Sequence, residues 1–237
     1  MTNHTVKAFD EELGVLSRKV SEMGGIAEAM LVESIDCLIR NDRVKAEAVV
    51  MRDKSLDLLQ QEIEDLAVIL IAKRQPMAND LRYVMGTVRI AGDIERMGDL
   101  FKNIGKRVRG MDNAMVGMRT LASIRSLSQM VQHQLKMVLD SFSQNRPDIA
   151  RTVWMNDEQI DALHNSLFRE LLTYMMEDPR SITYCAHLLF IAKNVERVGD
   201  HATNIAETVH LIETGEALTG PRPKSENMNY SLGQNAE

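Results

Sequence analysis

The chain has 237 residues, 44% of them hydrophobic and 26% charged, which is the composition of a globular protein with one large or two small cores. Its net charge of −6 argues against a nucleic-acid surface, and its longest clean apolar run, residues 66–72, is far short of a membrane span. Two cysteines without a CxxC or zinc-like spacing, Cys37 and Cys185, and an N-terminus lacking an apolar h-region point to a reducing, cytoplasmic setting.

Helix formers dominate, aromatics reach only 4% and prolines number five, so an all-α chain is expected. The first helix is predicted over about residues 6–40, with Gly24-Gly25 inside it. Asn41-Asp42 turns the chain, and Asp42 caps a second helix running to Arg74, before Pro76. A third opens at Asn79 or Asp80 and continues to about Arg109, with residues 110–117 as a hinge. The fourth spans about 118–144. Asn145-Arg146-Pro147 is a turn, with Pro147 suited to a first helical position. A fifth helix follows over about Asp148 to Met176, and Ser181 starts a sixth that ends near Gly215. The remaining Gly-, Pro- and Ser-containing residues read as a flexible tail.

Long helices joined by short turns form antiparallel bundles. In the third helix Ile90, Ile94, Met97, Phe101, Ile104 and Val108 keep a 4, 3, 4, 3, 4 spacing, and Ile191, Val195, Val198, Ala202, Ile205 and Val209 repeat it in the sixth. Such spacing makes the apolar seam of a three-helix core, with the abundant methionines filling gaps.

The same helices carry a repeat. Asp93-Ile94-Glu95-Arg96-Met97-Gly98-Asp99 returns as Asn194-Val195-Glu196-Arg197-Val198-Gly199-Asp200, an offset of 101. The chain therefore reads as two tandem, pseudo-symmetric three-helix bundles over residues 1–113 and 114–215, followed by the tail at 216–237.

Each copy holds two carboxylate pairs at i,i+4. Glu95 and Asp99 match Glu196 and Asp200 on the third helices, and Asp53 and Asp57 match Asp157 and Asp161 on the second. Scattering 34 acidic residues would give about five such pairs. Their number is thus ordinary, but all four fall at corresponding places in the repeat. Like charges at this spacing repel, and a hard cation held by carboxylates offsets that. The third-helix pairs lie opposite the seam, which predicts an outward-facing metal site rather than an enclosed catalytic one. Asn103 and Asn204, one turn further on, supply extra carbonyls. Asp93 against Asn194 makes the copies unequal in charge.

Other motifs are weaker. His201 and His164 do not repeat and read as surface or packing groups. Glu207-x-x-His210 occurs in one copy, where a di-iron bundle needs two. Trp154 is a core or groove aromatic.

Two tandem three-helix bundles, each with Asp-x-x-x-Asp on its second helix and Glu-Arg-x-Gly-Asp on its third, resemble the PhoU family. Met23-Gly24, Gln75-Pro76, Asp80-Leu81-Arg82 and the residues 200–206 fit as well, and the resemblance covers about residues 6–215. It implies a non-enzymatic, cytoplasmic negative regulator of phosphate uptake and of the phosphate-starvation (Pho) regulon. It further implies an adaptor between the ATPase subunit of a phosphate ABC transporter and a sensor histidine kinase, commonly as a homodimer. Carried over by position, the metal ligands are Asp53, Asp57, Glu95 and Asp99, then Asp157, Asp161, Glu196 and Asp200. The metal is iron, zinc, manganese or magnesium, mononuclear or multinuclear. The rival readings are a carboxylate-ligated metalloenzyme and a phosphotransfer bundle using His133 or His187.

Overall fold

A computed structural model describes residues 2–111 and 118–219. Residues 112–117 of the expected hinge over 110–117, and most of the expected tail, 220–237, lie outside the described residues. Helix α1 (Thr2–Arg40) passes straight through both glycines. A Cβ on Gly24 would sit 2.8 Å from Leu139, so this glycine lets α1 approach the fourth helix closely, whereas Gly25 faces open space. Asn41 makes the turn at φ 52°, a left-handed conformation that asparagine tolerates. Asp42 then caps α2 (Arg43–Arg74) by accepting from the Lys45 N–H at 3.0 Å. Gln75, also left-handed, closes α2 ahead of Pro76, and α3 (Asn79–Gly110) completes the first bundle.

The second bundle contains α4 (Met118–Ser143), α5 (Pro147–Met155), α6 (Asp157–Glu177) and α7 (Ile182–Thr214). Here the sequence expectation of one continuous fifth helix gives way. The chain breaks at Asn156 (φ −92°, ψ 2°), whose N–H is shared between the Thr152 and Val153 carbonyls at 3.2 Å. Asn156-Asp157 is a pair of poor helix formers that bond well at helix ends. Restarting the helix puts Asp157 in a first turn, where the helix dipole favours a carboxylate. Pro179–Ser181 form a single 3-10 turn before α7, and Gly215 ends α7 at φ 78°.

Every residue of the two predicted seams is buried, along with Val49, Leu56 and Ile63 of α2 and Ile124, Val131 and Leu135 of α4. The methionines divide: Met23, Met30 and Met97 fill the core, while Met51, Met77 and Met155 are exposed. The bundles share one apolar core, joined chiefly where α3 lies against α7. That pairing is antiparallel. Gly86 faces Ile212, Asp93 meets His201, and Arg107 lies over the Phe190 ring at 4.0 Å. No described helix is long and apolar enough to cross a membrane.

Candidate metal centre

The four carboxylates of the first copy come together between α2 and α3. Leu56 and Asp53 pack against Gly98, where a Cβ would fall 2.6 Å from Leu56 and 3.1 Å from Asp53 Oδ1. The glycine of Glu-Arg-x-Gly-Asp is thus what admits the carboxylate from α2. Asp53 is buried, at 2% exposure, Glu95 is half-buried, and Asp57 and Asp99 are exposed. Burial pushes the Asp53 carboxyl above its ordinary value. Lys102 pulls it down, and Asp57 and Asp99 raise it further. Glu95 rises for the same reasons, through burial first and then Asp99, Asp57 and Asp53, against the opposing Arg96. Asp53 and Glu95 are thus both raised by the neighbouring carboxylates as well as by burial.

Lys102 stands among them. Its Nζ lies 2.6 Å from Asp53 Oδ2 and 3.1 Å from Asp99 Oδ1, and both carboxylates drive its ammonium far above the usual lysine range. Asp53 Oδ1 is buried without a hydrogen-bond partner. An orphaned oxygen beside three further carboxylates is a donor set suited to a hard divalent cation. Among the described residues, however, no three such ligands are gathered as closely as a bound metal needs. Lys102 occupies the space between Asp53 and Asp99, so a cation would enter by displacing it.

The second copy is built from the same positions with different chemistry. Asp157 is buried at 2% exposure and Glu196 at 9%, with Asp161 and Asp200 half-buried. The expectation of an outward-facing stripe therefore fails in part. It describes Asp99, but Glu196 is sunk beneath neighbouring helices that a wheel drawn on one helix cannot include, and the second-helix Asp53 and Asp157, which lie on the flank of their seam, are buried as well. Thr203 replaces Lys102 at the equivalent place, and its Oγ1 lies 3.1 Å from Asp157 Oδ1 while accepting from Gln134 Nε2 at 3.2 Å. The cation instead comes from Lys193, whose Nζ is 2.7 Å from both Glu196 oxygens. Burial pushes Glu196 up, Lys193 opposes it, and Asp200 and Asp161 add to the rise. His164 is pushed below its ordinary value by burial and then by Lys193.

Lys102, Lys193, Thr203 and Gln134 were not among the sequence candidates. None repeats between the copies, so repeat comparison passes over them. A basic residue three positions from Asp99 or Glu196 was the available signal.

The non-repeating groups find other partners. His201 is buried, and its Nδ1 is 2.9 Å from Asp93 Oδ1 across the α3–α7 seam. Trp154 Nε1 donates to Glu207 Oε1 at 3.0 Å, while His210 Nδ1 lies 3.0 Å from the Glu216 carbonyl. Glu207 and His210 thus face different partners. Asn204 lines a cleft along the α3–α7 seam.

Comparison with known proteins bears on this arrangement. The model of the PhoU domain matches residues 20–108 and 124–209, one match per copy. A Rhizobium meliloti protein described as a phosphate-specific transport system accessory protein PhoU homolog is 50% identical, over 97% of each chain. A Caulobacter vibrioides homolog of the same description is also 50% identical, over 94% of this chain and 97% of its own. The crystal structure of PhoU from Pseudomonas aeruginosa superposes with a TM-score of 0.84 at 31% identity, covering 88% of this chain and all of that one. The phosphate transport system regulatory protein PhoU from Streptococcus pneumoniae gives 0.82 at 27% identity, covering 89% and 99%. With the family's domain found once in each bundle and near-full-length relatives at half identity, this chain belongs to the PhoU family.

Proposed function

We propose that this protein is a cytoplasmic, non-enzymatic adaptor that restrains phosphate uptake and the phosphate-starvation regulon. It does so by engaging the ATPase subunit of a phosphate ABC transporter and a sensor histidine kinase. The observation that carries this reading is the near-full-length identity to relatives described as phosphate-transport accessory proteins. Both bundles leave apolar side chains free for partners. Val44, Met51 and Leu58, seven residues apart on the outer face of α2, are 82%, 53% and 62% exposed, and Phe168, Leu172 and Met176 stand out from α6. Rows of this kind suit protein contacts, including a homodimer.

The carboxylate quartets are assigned to metal. Asp53, Asp57, Glu95 and Asp99 would hold a divalent cation in one copy, and Asp157, Asp161, Glu196 and Asp200 in the other. When bound, the cation supplies charge neutralisation that ties α2 to α3, or α6 to α7. The protein's own residues keep the site ready without it: Gly98 admits Asp53, and the two lysines neutralise part of the charge.

Affinity capture from cells at high and low phosphate tests the adaptor reading. The transporter ATPase and the kinase are expected to co-purify, and Leu58→Glu is expected to reduce the yield of at least one. Recovery of neither under both conditions contradicts the proposal.

A further inference from the structure

The two sides of the α3–α7 seam are equivalent by the internal repeat but are not filled alike. On one side Arg107 covers the Phe190 ring at 4.0 Å. On the other the equivalent positions are Thr208 and Arg89, and a cleft of about 440 Å³ opens there. Arg89 and Arg96 line it from α3, two helical turns apart on one face. Among the described residues neither guanidinium has an ion-pair partner, although both are exposed. The two carboxylates of the cleft are already engaged on its walls, Asp93 by His201 at 2.9 Å and Glu207 by Trp154 at 3.0 Å. The cleft continues past Arg89 into a hollow of about 170 Å³ bounded by Leu211 and Leu218.

We propose that this cleft binds a phosphate-type oxyanion carried on a small planar or apolar group, as in a nucleoside monophosphate. Guanidinium groups bind phosphate oxygens in pairs of parallel, charge-assisted hydrogen bonds. The two arginines take the oxyanion, and the Leu211–Leu218 end takes the apolar part. Glu207 Oε2, left over from the bond to Trp154, accepts from a hydroxyl or amino group of the ligand. The combined volume falls in the range of small-ligand sites, with mostly polar walls around the two arginines and apolar side chains at the Leu211–Leu218 end. This inference does not depend on the adaptor reading or on metal.

Calorimetric titration of the full chain with adenosine 5′-monophosphate, inorganic phosphate and adenosine tests it. Saturable binding of the monophosphate is expected, none of adenosine, and affinity about tenfold lower or worse in Arg89→Gln and Arg96→Gln. Arg89→Gln should melt at the wild-type temperature, since its side chain is exposed and without an ion pair, whereas Arg96 also acts on the nearby Glu95. Tighter binding of the monophosphate than of phosphate supports the composite ligand, and equal binding supports the free anion as the source. The proposal is overturned if neither phosphate compound binds saturably, if adenosine binds as well as its monophosphate, or if both variants keep wild-type affinity.

Discussion

Lys102 and Lys193 show how the acidic clusters tolerate their own charge. Lys102 reaches a buried aspartate, so its loss strands a carboxylate that water cannot reach. Lys102→Ala should cost about 1–3 kcal/mol in the presence of a chelator, allowing for the partial exposure of the pair. If a cation can take the ammonium's place, manganese or magnesium should raise the melting temperature of the variant more than that of the parent. No such differential effect would count against metal at this site. The carboxyls of Asp53, Glu95 and Glu196 are all raised by burial, so the folded state binds their protons more tightly than the unfolded chain does. Stability therefore increases as the pH falls from neutral towards the ordinary glutamate value of 4.5, and this gain is lost again as the pH rises. Glu196→Gln should stabilise the protein at pH 7 and flatten that rise, as read from melting curves across the range. The glycines offer a sharper contrast. Gly98→Ala drives a methyl group into Leu56 and should destabilise by about 1–3 kcal/mol, whereas Gly25→Ala, with open space around it, should stabilise by about 0.5–1 kcal/mol in urea titrations.

At the level of elements, boundaries set by local chemistry were legible and those set by packing were not. Asp42 acts at its helix end through its side chain, and Pro147 and Gly215 through their backbone preferences, so all three are legible in the sequence. Asp42→Ala should cost about 1 kcal/mol by removing the bond to the Lys45 N–H, measured by chemical denaturation. The break at Asn156 escaped because copy one runs helically through the equivalent Arg52, and an argument from repetition carries that continuity over. The seams were legible because a 4, 3, 4 spacing has one physical reading in a chain of helix formers. The depth of Asp53, Asp157 and Glu196 was not, since it depends on what a second helix lays over the first.

In the whole molecule, the contact of α3 with α7 was barely legible, because each helix presents one core seam and only a glycine marks a second contact face. Gly86 was the available sign: a Cβ there would fall 2.5 Å from Ile212. With one apolar core joining both bundles, the protein should unfold in a single transition, with calorimetric and van't Hoff enthalpies agreeing. Two resolved transitions would show that the seam does not couple them. The seam also imposes an order on biosynthesis. The face of α3 that receives α7 is complete once residue 110 has been made, yet its cover extends to Thr214. At bacterial elongation rates of about 5–20 residues per second, that face waits roughly 5–20 s for its partner. A ribosome-bound chain stalled between the two copies should therefore be more readily cleaved by protease along α3 than the finished protein.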